Sequence, residues 1–274
     1  AGFTVIAYTV MFQALYFLQN GLHVAPGMAQ LLVGGSAFAG VASFIFFGWL
    51  SDRVGRKKPI VIGYALVLLL TLPLYQYMGG TANPALQEAA ARAPVVVAGP
   101  DCHFDPFAKV QATSCGKLLD HLSKRGIPYD KKEASAPAVA IGDIAVHDLT
   151  PQGLDAALAA GGYDFGAVTP DWPRALKLFG ALLLLWTLSG ATYGPVAALL
   201  SEYFPARIRY SSLSIPYHIG TGYFGGFLPL VSQYIVARTG NPYAGLWYTL
   251  AVVALALVTC LVALPETKDR PLDA

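Results

Sequence analysis

The chain has 274 residues, 55% of them hydrophobic and only 12% charged, with a formal net charge of +2 and a mean hydropathy of +0.52. A soluble domain carries about a quarter charged residues, so this is the composition of a membrane protein. Basic runs interleaved with aromatics are missing, as is any nucleophile–base or metal-ligand constellation, so nucleic acid and enzyme chemistry are set aside and no cofactor is implied.

The opening AGFTVIAYTV has no basic leader and no initiating Met, and it starts inside an apolar stretch, which reads as a fragment rather than a signal peptide. About 20 apolar residues cross the hydrocarbon core as a helix. Six stretches are of that kind, at 1–19, 28–47, 59–78, 176–200, 212–236 and 243–264. Backbone groups in lipid must be paired internally, which predicts helices and an all-α membrane protein with six spans. The first carries Thr9, Gln13, Tyr16 and Asn20 at steps of four, three and four, a single polar stripe.

Between the second and third stretches lies GWLSDRVGRKKP, a packet of charge with Asp52, Arg53, Arg56, Lys57 and Lys58 around Gly55. The turn after Leu200 holds Arg207 and Arg209, and the tail holds Lys268 and Arg270, whereas NGLHVAPG has no formal charge and ARTGNP has Arg238 alone. The positive-inside rule puts the 48–58 and 201–211 loops and the C-terminus in the cytoplasm of a multi-pass protein of the cell (inner) membrane.

Residues 81–173 are different: they hold eleven of the sixteen acids and seven of the eighteen bases. They read as a small extracytoplasmic α+β insert, dividing the chain into 1–80, 81–173 and 174–274. PVVVAG and AVAIGD are expected strands; GKLLDHLSKRG is an expected helix, and so is TPQGLDAALAAGG, with Thr150 as its N-cap. Cys102 and Cys115 are expected to form a disulfide, since the outer compartment permits one. The spacing of His103, His121 and His147 matches no metal signature. Mid-helix Cys260 is a small packing residue.

The second half is rich in Gly and Pro. Gly190-x-x-x-Gly194 is a close-packing motif, and Pro216 beside His218 is an expected bend. Ser214, His218, Thr221 and Gly225 make a second polar stripe. Such stripes face the bundle interior or a wet cavity, either as interhelical hydrogen bonds or as a substrate path. His218 is the titratable group within a span.

Gly48, Asp52, Arg53, Gly55, Arg56 and Lys57 fit G-x-x-x-D-R-x-G-R-[RK], which resembles the signature loop of the major facilitator superfamily. YGPVAALLSEYFPARIRYSSLSIPYHIGTGYFGGFLP (193–229), LPETKDR (264–270) and YTVMFQALYFLQ (8–19) resemble helices ten and eleven, the end of helix twelve, and helix seven of its metabolite:proton symporter branch. The resemblance implies the C-terminal half of a twelve-helix transporter, partnered by an N-terminal six-helix half, the bilayer, protons and a small-molecule substrate. It implies a substrate path along Tyr8, Thr9, Gln13, Tyr16, Tyr193, Tyr217, His218 and Thr221. It also implies a gating set of Asp52, Arg53, Gly55, Arg56, Glu202, Arg207 and Arg209. There Asp52 is expected at the start of helix eleven, near Ser211 and Ser212, and Arg53 or Arg56 is expected on Glu202, with Arg209 completing the latch. The alternatives are a static knot at that turn, an efflux antiporter or sugar porter of the same superfamily, and a membrane-anchored outer binding or sensor domain.

Overall fold

The computed structural model describes residues 1–100 and 102–268. Helix α1 runs from Gly2 to Gly21, α2 from Pro26 to Val54 and α3 from Lys57 to Ala82. After the insert, α7 (Trp172–Tyr193) passes at Gly194–Pro195 into α8 (Val196–Tyr203). Then come α9 (Arg209–Ile219), a wide π-type turn over Gly220–Gly225, α10 (Leu228–Thr239) and α11 (Leu246–Val262).

Among the described residues, four helices are long and apolar enough to cross a membrane: Gly2–Gly21, Pro26–Val54, Lys57–Ala82 and Trp172–Tyr203. The two other expected spans differ. The stretch expected at 212–236 is broken by the π turn and restarts at Leu228–Pro229, where proline supplies no N–H to continue the ladder. The stretch expected at 243–264 keeps 17 helical residues, about 25 Å of rise against a core of about 30 Å.

The helices pack by removing side chains where backbones meet. At Gly190 a Cβ would fall 2.9 Å from the Ser43 carbonyl carbon, and at Gly194 it would fall 2.7 Å from the Phe44 carbonyl oxygen. The small-residue pair therefore seats α7 directly on α2. Leu18, Tyr75, Met78, Leu178 and Leu182 fill the core of this bundle, while Phe38, Ile45, Leu69 and Leu255 stay exposed on its outside. An apolar exterior of this extent is the surface of a multi-pass membrane protein.

Between α3 and α7 the chain forms α4 (Pro84–Arg92), β1 (Val95–Gly99), α5 (Ser114–Lys124), β2 (Tyr129–Glu133), β3 (Ala138–Ile141), β4 (Ile144–Val146) and α6 (Pro151–Ala160). The sheet order is β2-β1-β3-β4, with β2 parallel to β1 and the other pairs antiparallel. Helix α5 is thus the crossover between two parallel strands. Val95 and Val97 point into a core with Leu118, Leu119, Leu122, Leu154 and Leu158. The Thr150 hydroxyl accepts the Gly153 N–H at 3.1 Å and caps α6. A disulfide joins Cys102 to Cys115, closing the loop between β1 and α5, and Cys260 is free.

This unit sits on one end of the bundle. His23 Nε2 lies 2.8 Å from the Arg125 carbonyl. Tyr129 donates its hydroxyl to the Ala237 carbonyl (2.8 Å) and its N–H to Gly240 O (3.2 Å). Lys131 Nζ donates to Arg238 O at 2.6 Å. Burial pushes the Tyr129 hydroxyl up to about 12, so it remains a donor. Helix ends leave carbonyls unpaired, and here the insert supplies donors to the last turn of α10.

Candidate functional site

At the opposite end of α2, the chain must reverse within two residues to enter α3. Gly55 does this at φ +101°, ψ 156°, a region open to glycine. Any Cβ there would also meet the Glu266 carboxylate, whose Cδ is 2.9 Å from the position it would take. Glu266 uses that closeness. Its Oε1 accepts the Arg56 N–H at 2.7 Å and its Oε2 accepts the Lys57 N–H at 3.1 Å. A carboxylate on the first N–H groups of a helix satisfies orphan donors and matches the positive end of the helix dipole.

The Arg56 side chain turns the other way, into the bundle. Its Nε lies 3.1 and 3.2 Å from the two Glu202 oxygens, and its Nη2 is 2.7 Å from Glu202 Oε1. Its Nη1 donates to Ser51 Oγ at 2.9 Å and to Asp52. Thr267 Oγ1 closes the group by donating to Glu202 Oε2 at 2.7 Å. The side chains of Arg56 and Glu202 are only 10% and 12% exposed. Their bidentate contact is therefore partly desolvated, and such contacts are stronger and more selective in geometry than a surface pair. The Glu202 hydrogen bond raises the Arg56 guanidinium further above its ordinary value. Burial opposes ionisation of Glu266, but its backbone N–H partners hold the carboxyl below the usual range.

The expected gating residues thus meet only in part. Arg56 and Glu202 are joined. Asp52 is a correction: it pairs with Arg56 across the Gly55 turn, its side chain is 62% exposed, and among the described residues it makes no bond to Ser211 or Ser212. A partner four residues away, across one tight turn, is reached with less loss of freedom than one across the bundle. Arg53 stacks on the Trp49 ring, 3.9 Å from its centroid, and lends its carbonyl to Lys268 Nζ at 2.8 Å. Arg209 donates Nε to the Phe204 carbonyl at 3.1 Å, and Arg207 is exposed. Glu266 and Thr267 were not among the expected gating residues. Their signal was an acid and a hydroxyl directly after Pro265, inside the LPETKDR segment, whose basic residues alone were given a role. Arg270 lies outside the described residues.

The polar stripes also divide. Thr9 Oγ1 lies 2.6 Å from Thr249 Oγ1 on α11, and Tyr75 donates to the Thr9 carbonyl at 2.9 Å. Gln13 Oε1 accepts from Ser232 Oγ (2.6 Å) and Gln233 Nε2 (3.0 Å) on α10. Gln13 is 1% exposed, so these bonds tie helices together inside the bundle. Thr4 and Thr221 hydroxyls are 3.4 Å apart, and Tyr193 and Tyr217 hydroxyls 2.6 Å apart, with Phe3 edge-on to Tyr193. Tyr8 packs on Phe12, while His218 is exposed with its ring edge against Tyr217. Helix α1 takes wide π turns at Thr9–Gln13 and Phe17–Gly21, each adding a residue to a turn and shifting the faces that follow. The continuation of the stripe, Tyr16 and Asn20, lines a cavity of about 290 Å³ between α1, α10 and the 123–129 segment of the insert.

Comparison with known proteins agrees with both halves of this picture. Residues 1–99 match the family model described as Major Facilitator Superfamily, and residues 161–274 match the one described as Sugar (and other) transporter. A citrate-proton symporter of Klebsiella pneumoniae is 33% identical over 89 residues, 32% of this chain and 20% of that protein. An inner membrane metabolite transport protein of Escherichia coli is 33% identical over 97 residues, 35% of the chain and 22% of the relative. A proline/betaine transporter of Escherichia coli is 30% identical over 95 residues, again 35% of the chain and 19% of the relative. The matched region is therefore about a fifth of the length of each of these proteins. No solved structure matches. With transporter models on both sides of the insert, a signature turn at 48–58 and a membrane-type exterior, residues 1–99 and 161–274 are similar to transporters of the major facilitator superfamily.

Proposed function

We propose that the chain is the C-terminal six-helix half of a secondary transporter, a proton-coupled importer of a small polar or anionic metabolite working by alternating access. In this reading, an N-terminal half rocks against these helices. The 48–58 and 201–211 loops and the C-terminus face the cytoplasm, and residues 81–173 lie outside the inner membrane. The observation that carries it is the contact of Arg56 with Glu202 and of Glu266 with the start of α3, which ties α2, α3, α8 and the tail together at one membrane edge. Such a cluster biases a two-state equilibrium by being intact in one state and broken in the other. Proton-coupled relatives supply the driving force by analogy. The acids of the network, Asp52, Glu202 and Glu266, sit at the edge of the spans, so the principal proton site is assigned to the other half.

The test is reconstitution. Residues 1–274 in liposomes should take up no labelled metabolite under a proton gradient, and co-expression with an N-terminal six-helix half should give gradient-dependent uptake. Robust uptake by residues 1–274 alone, in a monomer, would refute the half-transporter reading.

A further inference from the structure

The disulfide of the insert stands at the end of the sheet where open α/β units bind their ligands. Strands β1 and β2 run parallel, with Gly99 beside Glu133 at their carboxyl ends, and α5 crosses between them. Ligands of such sheets sit in the crevice beyond those ends. A cavity lies there, and its walls include Gly99, Cys102, His103, Lys131, Lys132 and Glu133. A Cβ at Gly99 would fall 3.3 Å from Cys102 Sγ, 3.3 Å from Pro137 Cα and 3.5 Å from Cys115 Cβ. The missing side chain therefore lets both cysteines and Pro137 close on the strand end.

The two sulfurs differ in their surroundings. Cys102 is half-buried and lines the cavity, whereas Cys115 is 1% exposed. Cys115 is the second residue of α5, and the N-cap hydroxyl of that helix, on Thr113, accepts the Gly116 N–H at 2.9 Å. A thiolate in the first turn of a helix is stabilised by the backbone amides and the positive end of the dipole. The charges around the cavity act in the same sense. Lys131 and Lys132 outnumber Glu133, and Arg238 reaches over from α10 to place Nη1 2.7 Å from His103 Nε2. Among the described residues, Lys131, Lys132 and Arg238 enter no ion pair. The bridge spans 13 residues of chain, while the core of the unit draws side chains from α4 through α6 and beyond. The fold does not hang on the bridge alone.

We propose that Cys102–Cys115 is a redox-active disulfide that oxidises small thiols carrying a carboxylate. The carboxylate is drawn to the lysines, and the thiol, having given its proton to solvent, attacks Cys102 Sγ as the thiolate. A bond forms between the incoming sulfur and Cys102, the Cys102–Cys115 bond breaks, and its electron pair leaves on Cys115 Sγ at the start of α5. A second thiolate of the same kind then attacks the incoming sulfur and releases Cys102 as a thiolate. Two substrate thiols become one disulfide, and the bridge takes up two electrons; protons lost by the substrate are regained from solvent by the two cysteines. The reaction goes beyond transport and requires no solute to cross the membrane.

The test uses the full 274-residue chain with Cys260→Ser, in lipid nanodiscs, treated with mercaptoacetate or with cysteamine. Opening of the bridge is followed by alkylation and peptide mass. Each rate per thiolate is divided by that of the same thiol on hydroxyethyl disulfide, which removes its intrinsic nucleophilicity. For mercaptoacetate the quotient should be about ten or more. It should exceed that of cysteamine by about fivefold, and Lys132→Gln should shrink the difference. Acid-quenched intermediates should carry the reagent on Cys102 and a free thiol at Cys115. Amide exchange of β1 and β2 should stay slow after the bridge is opened. A bridge no faster than hydroxyethyl disulfide, no preference between the reagents, indifference to Lys132→Gln, or reagent attached to Cys115 would each overturn the proposal. Loss of amide protection on opening would overturn it too, by marking the bridge as structural. None of these readings involves uptake, so they leave the transport reading to its own experiment.

Discussion

Replacing Glu202 by Gln keeps the volume of the side chain and removes its charge. In the structure that carboxylate receives Arg56 through Nε and Nη2 and Thr267 through its hydroxyl, with the two charged side chains 10% and 12% exposed. Breaking a buried pair costs about 3–5 kcal/mol, and the amide oxygen and the remaining Ser51 and Asp52 contacts of Arg56 return part of that. A net loss of about 2–3 kcal/mol follows. For a chain of this size each kcal/mol lowers the unfolding midpoint by about 2–4 °C, so the fall should be roughly 4–12 °C. Asp52→Asn is the internal control: its carboxylate is 62% exposed, and a surface pair is worth at most about 1 kcal/mol. Thermal unfolding of both variants in detergent, followed by the fluorescence of the four tryptophans, measures the difference. Equal shifts, or a larger one for Asp52→Asn, would refute the assignment of Glu202 as the centre of the network.

Gly55→Ala should lower the same midpoint more than an alanine substitution of the neighbouring exposed Val54, because it meets both a forbidden backbone region and the Glu266 carboxylate; a shift no larger than that of Val54→Ala would count against both. The Glu266 carboxyl is depressed in the folded chain, so its contribution is complete above the ordinary glutamate value of about 4.3 and is lost as pH falls through the lower folded one. Midpoints recorded between pH 6 and 3 should therefore fall more steeply for the native chain than for Glu266→Gln, and parallel curves would contradict the backbone bonds to Arg56 and Lys57.

The sequence carried the charged turn plainly, because an acid followed by Arg-x-Gly-Arg between two apolar runs has few structural uses. It did not carry the turn's partners. Glu266 lies 210 residues from Arg56, in a tail whose composition suggests only solvent and basic anchoring. Asp52 was assigned across the bundle because the sharp reversal at Gly55, which folds Arg56 back onto it, was not weighed against that. The stripe of α1 was legible as far as its period held. The π turns then shift that period, leaving Thr9 buried against Thr249 while Gln13, Tyr16 and Asn20 line the cavity. In the insert, β1 and β3 follow apolar runs that pattern reveals. Strand β2, YDKKE, is a polar edge strand, and β4 has three residues, so neither shows in hydropathy. The broken course of 209–239 was foreshadowed by its glycines and prolines, but residue type alone does not say which one interrupts a ladder.

The capping of α3 by Glu266 also sets an order of events during synthesis. The turn at Gly55 is made early, yet the carboxylate that satisfies its amides leaves the ribosome 210 residues later, after the sheet unit and every later helix. Until then the start of α3 must rely on water or on passing partners for its free N–H groups. Contacts of such long separation close late and slowly, and the interval before closure is when a chain is most exposed to mispairing. The staple is thus a late event: the start of α3 and the segment after α11 lock together only once the helices between them have been made.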